Sequence, residues 1–211
     1  MSKELQTRRP NRFLSASAKL APVFGTIGLL LVGLDFTPFG PNAAGATLLS
    51  RPLYGVFLAI ALLALWIAPS QSSDWKVKPS AWWWADVMVC TYIFVPIMQW
   101  TIPSPRPPGS PIEELLGLPL GGWPSGHMVS VFALSWALMV ARPRLAWPAF
   151  ALAIAMSWAR IESSAHYPFQ VICGGALGMA LGWWTTHHRE GLLLTRVYDV
   201  AKRKLAGPRK T

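Results

Sequence analysis

Hydrophobic positions run along this chain in six long blocks, residues 20–34, 53–68, 82–102, 126–141, 145–158 and 171–184, and none of them contains Lys or Arg. Several are shorter than the ~20 residues that cross a hydrocarbon core unaided, so their ends must extend into the interfacial layers. The pattern predicts an all-α, integral membrane bundle of about six transmembrane helices. Glycine recurs every fourth residue in the last block, at Gly174, Gly178 and Gly182, a stripe that lets a neighbouring helix come close.

Between the blocks the connections are short, with no repeat and no Gly/Ser linker, and the whole of 1–211 reads as a single domain. The connection at 103–124 is longer and rich in Pro and Gly. Within it the segment 110–116, Ser-Pro-Ile-Glu-Glu-Leu-Leu, carries a cap, a proline at the first helical position and a glutamate three after the cap. A short interfacial helix is expected there. It either covers the site described below or only spaces two spans. Beyond Gly191, residues Leu193, Leu194, Val197, Ala201 and Leu205 recur at helical spacing among basic residues, as in a helix lying on anionic lipid.

Composition agrees with a membrane: 53% of the 211 residues are hydrophobic and 13% charged, against roughly 25% charged in soluble domains. Sixteen of the nineteen basic residues fall in the first segment, the connections at 76–78 and 142–144, and the tail. Positive residues mark the cytoplasmic side. Both termini are therefore expected in the cytoplasm, with basic tails 1–19 and 186–211, in a cell (inner) membrane. The tryptophans at 82, 83, 84, 183 and 184 suit an interfacial belt on that face, where His187 and His188 also read as interfacial. The early basic and apolar segments also resemble a signal peptide cut near Ala44-Gly45-Ala46; a retained anchor is the reading adopted. The net charge of +10 does not imply nucleic acid, because the basic residues flank spans rather than forming one aromatic-laced patch. Cys90 and Cys173 lie within spans and indicate neither a disulfide framework nor a metal cluster.

The remaining basic residues are Arg51, Arg106 and Arg160, and the last two fall in segments that place polar groups at the outer end of a span, where they are costly unless used. The first segment runs from Gln99 to Arg106-Pro107; the guanidinium offers a planar fork of donors that matches phosphate. The second, Pro124-Ser125-Gly126-His127, enters the fourth span. Ser125 suits a helix cap, Gly126 leaves room for a ligand, and the first-turn amides favour an anion beside His127. The third joins Arg160 to His166-Tyr-Pro-Phe-Gln170, with Pro168 opening a helix and Gln170 one turn from His166. A histidine held at one ring nitrogen presents the other as a nucleophile. Each segment alone also reads as an ordinary interfacial arginine, cap or histidine.

Together they resemble the type 2 phosphatidic acid phosphatase family, whose signature is Lys, six residues, Arg-Pro; Pro-Ser-Gly-His; and Ser-Arg, five residues, His, three residues, Asp. Arg106-Pro107, the whole of Pro124-Ser125-Gly126-His127, Arg160 and His166 match in order and spacing, and the likeness covers 99–178. The resemblance implies a membrane lipid phosphatase with no cofactor and no metal. His166 would attack phosphorus to form a phosphohistidine. His127 would protonate the leaving oxygen and then activate water. Arg106, Arg160, Ser125, the Gly126 amide and Gln99 would hold the phosphoryl oxygens on the extracytoplasmic side. The implied substrate is a phosphorylated lipid in the bilayer: polyprenyl diphosphate, phosphatidic acid, phosphatidylglycerol phosphate or a glycolipid phosphate.

Three positions depart from the signature. Gln99 stands for Lys, Ala159 for Ser, and Gln170 for Asp. An amide at 170 accepts from the His166 ring without supplying negative charge, and Glu162, one turn before His166, is a candidate replacement. The departures keep two alternatives open: a lipid-phosphate-binding scaffold with weakened turnover, and a lipid phosphotransferase. A transporter is disfavoured by the absence of a charged pair at mid-membrane. Oligomeric state is not legible.

Overall fold

The structure, a computed structural model, describes residues 17–34, 43–68, 79–110, 114–115 and 118–187. The tail segment beyond Gly191 lies outside them. Helix α1 is Ala21–Gly33 and α2 is Ala43–Ser50. After a break at Arg51, α3 spans Pro52–Trp66, proline occupying the first turn where its missing N–H costs nothing. Next come α4, Pro79–Val89, a π-turn at Cys90–Phe94, and α5, Val95–Thr101. Then α6 is Gly126–Ala141, α7 is Ala146–Glu162 and α8 is Pro168–His187.

Two of the helical runs, Ala44–Trp66 and Ser80–Thr101, are long and apolar enough to cross a membrane. The second is continuous although Pro96 lies inside it. Proline donates no bond to Tyr92, four residues back; Val95 N–H instead reaches Cys90 five residues back, and the widened turn absorbs the lost bond.

Alternation of the helices brings the end of α5, the start of α6, the end of α7 and the starts of α3 and α8 to one end of the bundle. At the other end Arg142, just past α6, donates to the Ile67 carbonyl just past α3 at 2.6 Å. The core between is apolar, built on Phe132, Phe150, Leu65, Val131 and Met156. Many lipid-sized side chains point outward, Leu20, Ile60, Leu63 and Trp184 among them, as expected where the surrounding medium is hydrocarbon.

The glycine stripe works as expected. A methyl group built on Gly178 would lie 2.5 Å from the Val129 carbonyl oxygen, and one on Gly182 would lie 2.7 Å from that of Ala133. Helices α6 and α8 thus pack backbone to backbone. Gly178→Ala is expected to destabilise the bundle by about 1–3 kcal/mol, because the obstacle is main chain that cannot swing away; a melting curve in detergent unchanged from wild type would contradict the tight contact.

The helix expected over 110–116 falls largely on residues 111–113 and 116, outside the described ones. Within that stretch Glu114–Leu115 pairs antiparallel with Leu118–Pro119, Leu115 opposite Leu118. Glu114 and Leu115 are thus extended, not helical, because their backbone groups pair across to the other strand.

Candidate active site

The three segments singled out above meet at that common end. Ser164 adopts a left-handed conformation, φ 53°, which turns the chain so that the Ala165 and His166 N–H groups both reach back to the Arg160 carbonyl at 3.2 and 3.1 Å. Arg160 and His166, six apart in sequence, become buried neighbours at the two ends of a turn whose tip, Ser164, is exposed. The start of α8 then touches the start of α6: Ser125 N–H donates to the Gln170 carbonyl at 3.2 Å, and a methyl on Gly174 would lie 2.6 Å from the Ser125 carbonyl. The first segment closes the third side. Gly121 N–H donates to the Gln99 carbonyl at 3.3 Å and Gly122 N–H to that of Ser104 at 2.8 Å.

His166 is only 2% exposed. Its Nδ1 lies 2.9 Å from the Gly122 carbonyl oxygen and 3.2 Å from Oε1 of Gln170. The orientation of the Gln170 amide is fixed independently, because Oε1 accepts from Tyr167 N–H at 3.0 Å while Nε2 donates to Ser104 Oγ at 2.9 Å and to the Pro105 carbonyl at 2.7 Å. Both neighbours of Nδ1 are therefore acceptors, so Nδ1 carries a proton, and in the neutral ring the lone pair is on Nε2. That is the tautomer of a nucleophile. The carboxylate proposed as a substitute, Glu162, ends α7, and the ring is oriented by Gly122 and Gln170 instead.

Gln170 also joins two of the segments. Its amide ties the loop carrying Arg106 to the turn carrying His166, and it is fully buried. A methyl at Gly122 would run into this amide, which gives that glycine its reason.

Ser125 holds the N-cap position of α6, but its side chain makes no capping bond, contrary to the expected cap. The hydroxyl is fully buried and has no hydrogen-bond partner in the protein. Leaving such a group unmatched costs about 1–3 kcal/mol, and here it sits at the start of a sixteen-residue helix, where amides and dipole favour an anion. Beside it, a methyl on Gly126 would meet Val95 at 3.4 Å, tight but not prohibitive, so packing alone does not require glycine.

The remaining expected residues are present but engaged. Gln99 uses Nε2 to hold the Pro124 carbonyl at 2.7 Å, which positions the second segment. Arg106 donates Nε to the Leu120 carbonyl at 3.2 Å, Nη2 to Gly121 at 3.2 Å and Nη1 to Ala165 at 3.4 Å. Arg106 also lines a cavity of about 590 Å³ with Gln99, Trp100, Ser104 and Ser110, and neither histidine lines it. Arg160 is buried, 3% exposed. Among the described residues no three His, Cys, Asp or Glu side chains come together as a metal would need.

Sequence reasoning missed Tyr54. Its ring lies 4.2 Å, centroid to centroid, from that of His127. The available signal was slight: Tyr54 follows Arg51-Pro52 at the end of the second span that faces the motifs.

The sequence model of the family described as PAP2 superfamily matches residues 80–192, a stretch that contains all three segments. Among solved structures the chain is similar to a transmembrane PAP2 type phosphatidylglycerolphosphate phosphatase from Bacillus subtilis, at 15% identity and a TM-score of 0.52, over 85% of this chain and 92% of that one. The comparison with curated proteins gives no match.

Proposed function

This chain belongs to the PAP2 superfamily, and from that premise we propose that it is a membrane phosphatase hydrolysing a phosphomonoester or diphosphate of a lipid through a phosphohistidine. The observation that carries the reading is the His166 ring, buried and held at Nδ1 by two oxygen acceptors, one of them on Gln170, whose main-chain carbonyl in turn accepts from Ser125 N–H, the residue whose buried hydroxyl lacks a partner in the protein.

In the proposed reaction Nε2 of His166 attacks phosphorus, and a P–N bond forms as the P–O bond to the lipid breaks. His127 gives its proton to the departing oxygen. A water then attacks phosphorus while His127 takes its proton back, and the P–N bond breaks to release phosphate. Ser125 Oγ, the Gly126 amide, Arg160 and Arg106 stabilise the equatorial oxygens, and fixed donors of this kind are usually the largest catalytic term. For Arg106 and Gln99 this role requires sharing donors with the carbonyls they hold. The proposed setting is a cell membrane with both termini in the cytoplasm and the site on the extracytoplasmic side. The Bacillus relative named above is a phosphatidylglycerolphosphate phosphatase, which puts that lipid in the panel to be tried alongside phosphatidic acid, polyprenyl diphosphate and glycolipid phosphates.

The test is release of inorganic phosphate from that panel by purified protein in detergent, with and without a chelator. Hydrolysis that persists in chelator and vanishes in His127→Ala supports the proposal; a rate abolished by chelator and restored by a divalent cation sinks the metal-independent chemistry. A second reading, a lipid-phosphate-binding scaffold, is favoured by Gln170, whose amide supplies no negative charge to an imidazolium. It predicts saturable binding of the same lipids with no release. A phosphotransferase would yield phosphorylated lipid in place of free phosphate.

A further inference from the structure

Tyr54 stands in the first turn of α3, outside all three motif segments, yet it reaches the site. Its ring and that of His127 are inclined by 42° at a centroid separation of 4.2 Å, a close contact slightly shorter than the roughly 4.5–7 Å at which aromatic rings usually pair. The phenol is buried, and its oxygen lies 2.7 Å from Ser130 Oγ and 3.2 Å from the hydroxyl of Tyr92 in the π-turn.

Counting protons gives this chain of hydroxyls a direction. Ser130 Oγ lies 3.0 Å from the His127 carbonyl and 3.2 Å from that of Gly126. Carbonyls only accept, so the one serine proton points at them, and Ser130 accepts from Tyr54. The Tyr54 proton being spent, Tyr92 donates to Tyr54. The phenol is thus fixed from both sides, by α6 and by the span that holds Tyr92, and its ring is a rigid plate against which the His127 imidazole rests. The plate also offers its electron-rich face to a ring that carries positive charge whenever it is ready to give up a proton.

We infer that Tyr54 is a positioning residue for His127: it fixes the plane of the imidazole so that the ring nitrogen meets the leaving oxygen. The inference rests on the role proposed above for His127. It assigns work to a side chain of the second span, which the family match at residues 80–192 does not include.

The closing experiment has two arms. In the first, kcat and KM are measured for Tyr54→Leu and Tyr54→Phe on whichever lipid phosphate the wild type hydrolyses. Leucine keeps the apolar volume but removes the plate; phenylalanine keeps the plate and removes the hydroxyl. A misplaced catalytic group can cost roughly 10²-fold in rate, so kcat of Tyr54→Leu is expected to fall by that order. KM should stay within about twofold, because ground-state binding is untouched. Tyr54→Phe keeps the ring but frees it from Ser130 and Tyr92, so its loss should fall between wild type and Tyr54→Leu. Wild-type kcat in Tyr54→Leu, or equal losses in both variants, overturns the inference. The second arm needs no turnover. The ring protons of His127, assigned by their disappearance in His127→Ala, should show a ring-current shift in wild type and Tyr54→Phe that is lost in Tyr54→Leu. Should the wild type release no phosphate, the proposed function fails while this spectrum still decides whether Tyr54 holds the ring; an unchanged spectrum in Tyr54→Leu refutes it.

Discussion

Phosphate release is expected to fall by at least about 10⁴-fold in His166→Ala, the scale on which removing a covalent nucleophile acts when the rest of the site survives. The ring is buried with its Nδ1 proton directed at Gly122 and Gln170, so the alanine variant also strands a buried carbonyl at a cost of about 1–3 kcal/mol. His166→Asn separates the two effects. Its amide nitrogen occupies nearly the place of Nδ1 and donates to the Gly122 carbonyl, yet it has no atom at Nε2. Loss of turnover in both variants, with lipid phosphate still bound by His166→Asn, identifies chemistry rather than folding. Turnover surviving in His166→Asn would remove the phosphohistidine from the mechanism.

The second large effect concerns Gln170. In Gln170→Glu the carboxylate cannot donate, so the Pro105 carbonyl at 2.7 Å loses its partner. An unmatched buried acceptor facing a negative charge costs about 1–3 kcal/mol or more, and the loop that carries Arg106 is released from the turn that carries His166. Turnover is expected to drop about 10²-fold through lost alignment. Gln170→Asp, which restores the residue of the family signature, is too short to reach Ser104, Pro105, Tyr167 and His166 together. It is therefore expected to run slower than wild type. In the catalytic triad of a serine protease, an amide in place of the orienting aspartate costs about 10⁴-fold because the histidine takes the wrong tautomer. Here the amide oxygen faces Nδ1 and enforces the right one. Kinetics with a thermal melt of each variant checks this, and a Gln170→Asp protein faster than wild type would show that charge, not the fourfold anchoring, limits the site.

Much of this was legible in the chain. The six apolar blocks correspond to the six helical spans, because lipid demands long apolar helices whatever their partners. Gly174, Gly178 and Gly182 could be read as a contact stripe because a fourfold repeat on a helix has one geometric meaning. The site was legible as residue types at fixed spacings, but not as a division of labour. That Gln99 holds Pro124, that Arg106 reaches the carbonyls of Leu120 and Ala165, and that Gln170 bridges two loops depend on main-chain carbonyls, which carry no residue code. Ser125 read as a cap because Ser is the usual capping residue, and only the fold shows its hydroxyl turned from the helix amides. Tyr54 lies 73 positions from His127, and a single tyrosine in an apolar helix has no periodicity to announce a partner.

Two imidazoles and a helix start must form one anion pocket if the proposed chemistry is right, and a structure of the wild-type protein soaked with orthovanadate tests that most directly. Vanadate adopts the five-coordinate shape of a phosphoryl group in transfer. The predicted result is vanadium bonded to Nε2 of His166, its equatorial oxygens on Ser125 Oγ, the Gly126 amide and Arg160, and its far apical oxygen on His127. Vanadate bound away from His166, or His127 turned from the apical oxygen, would contradict it.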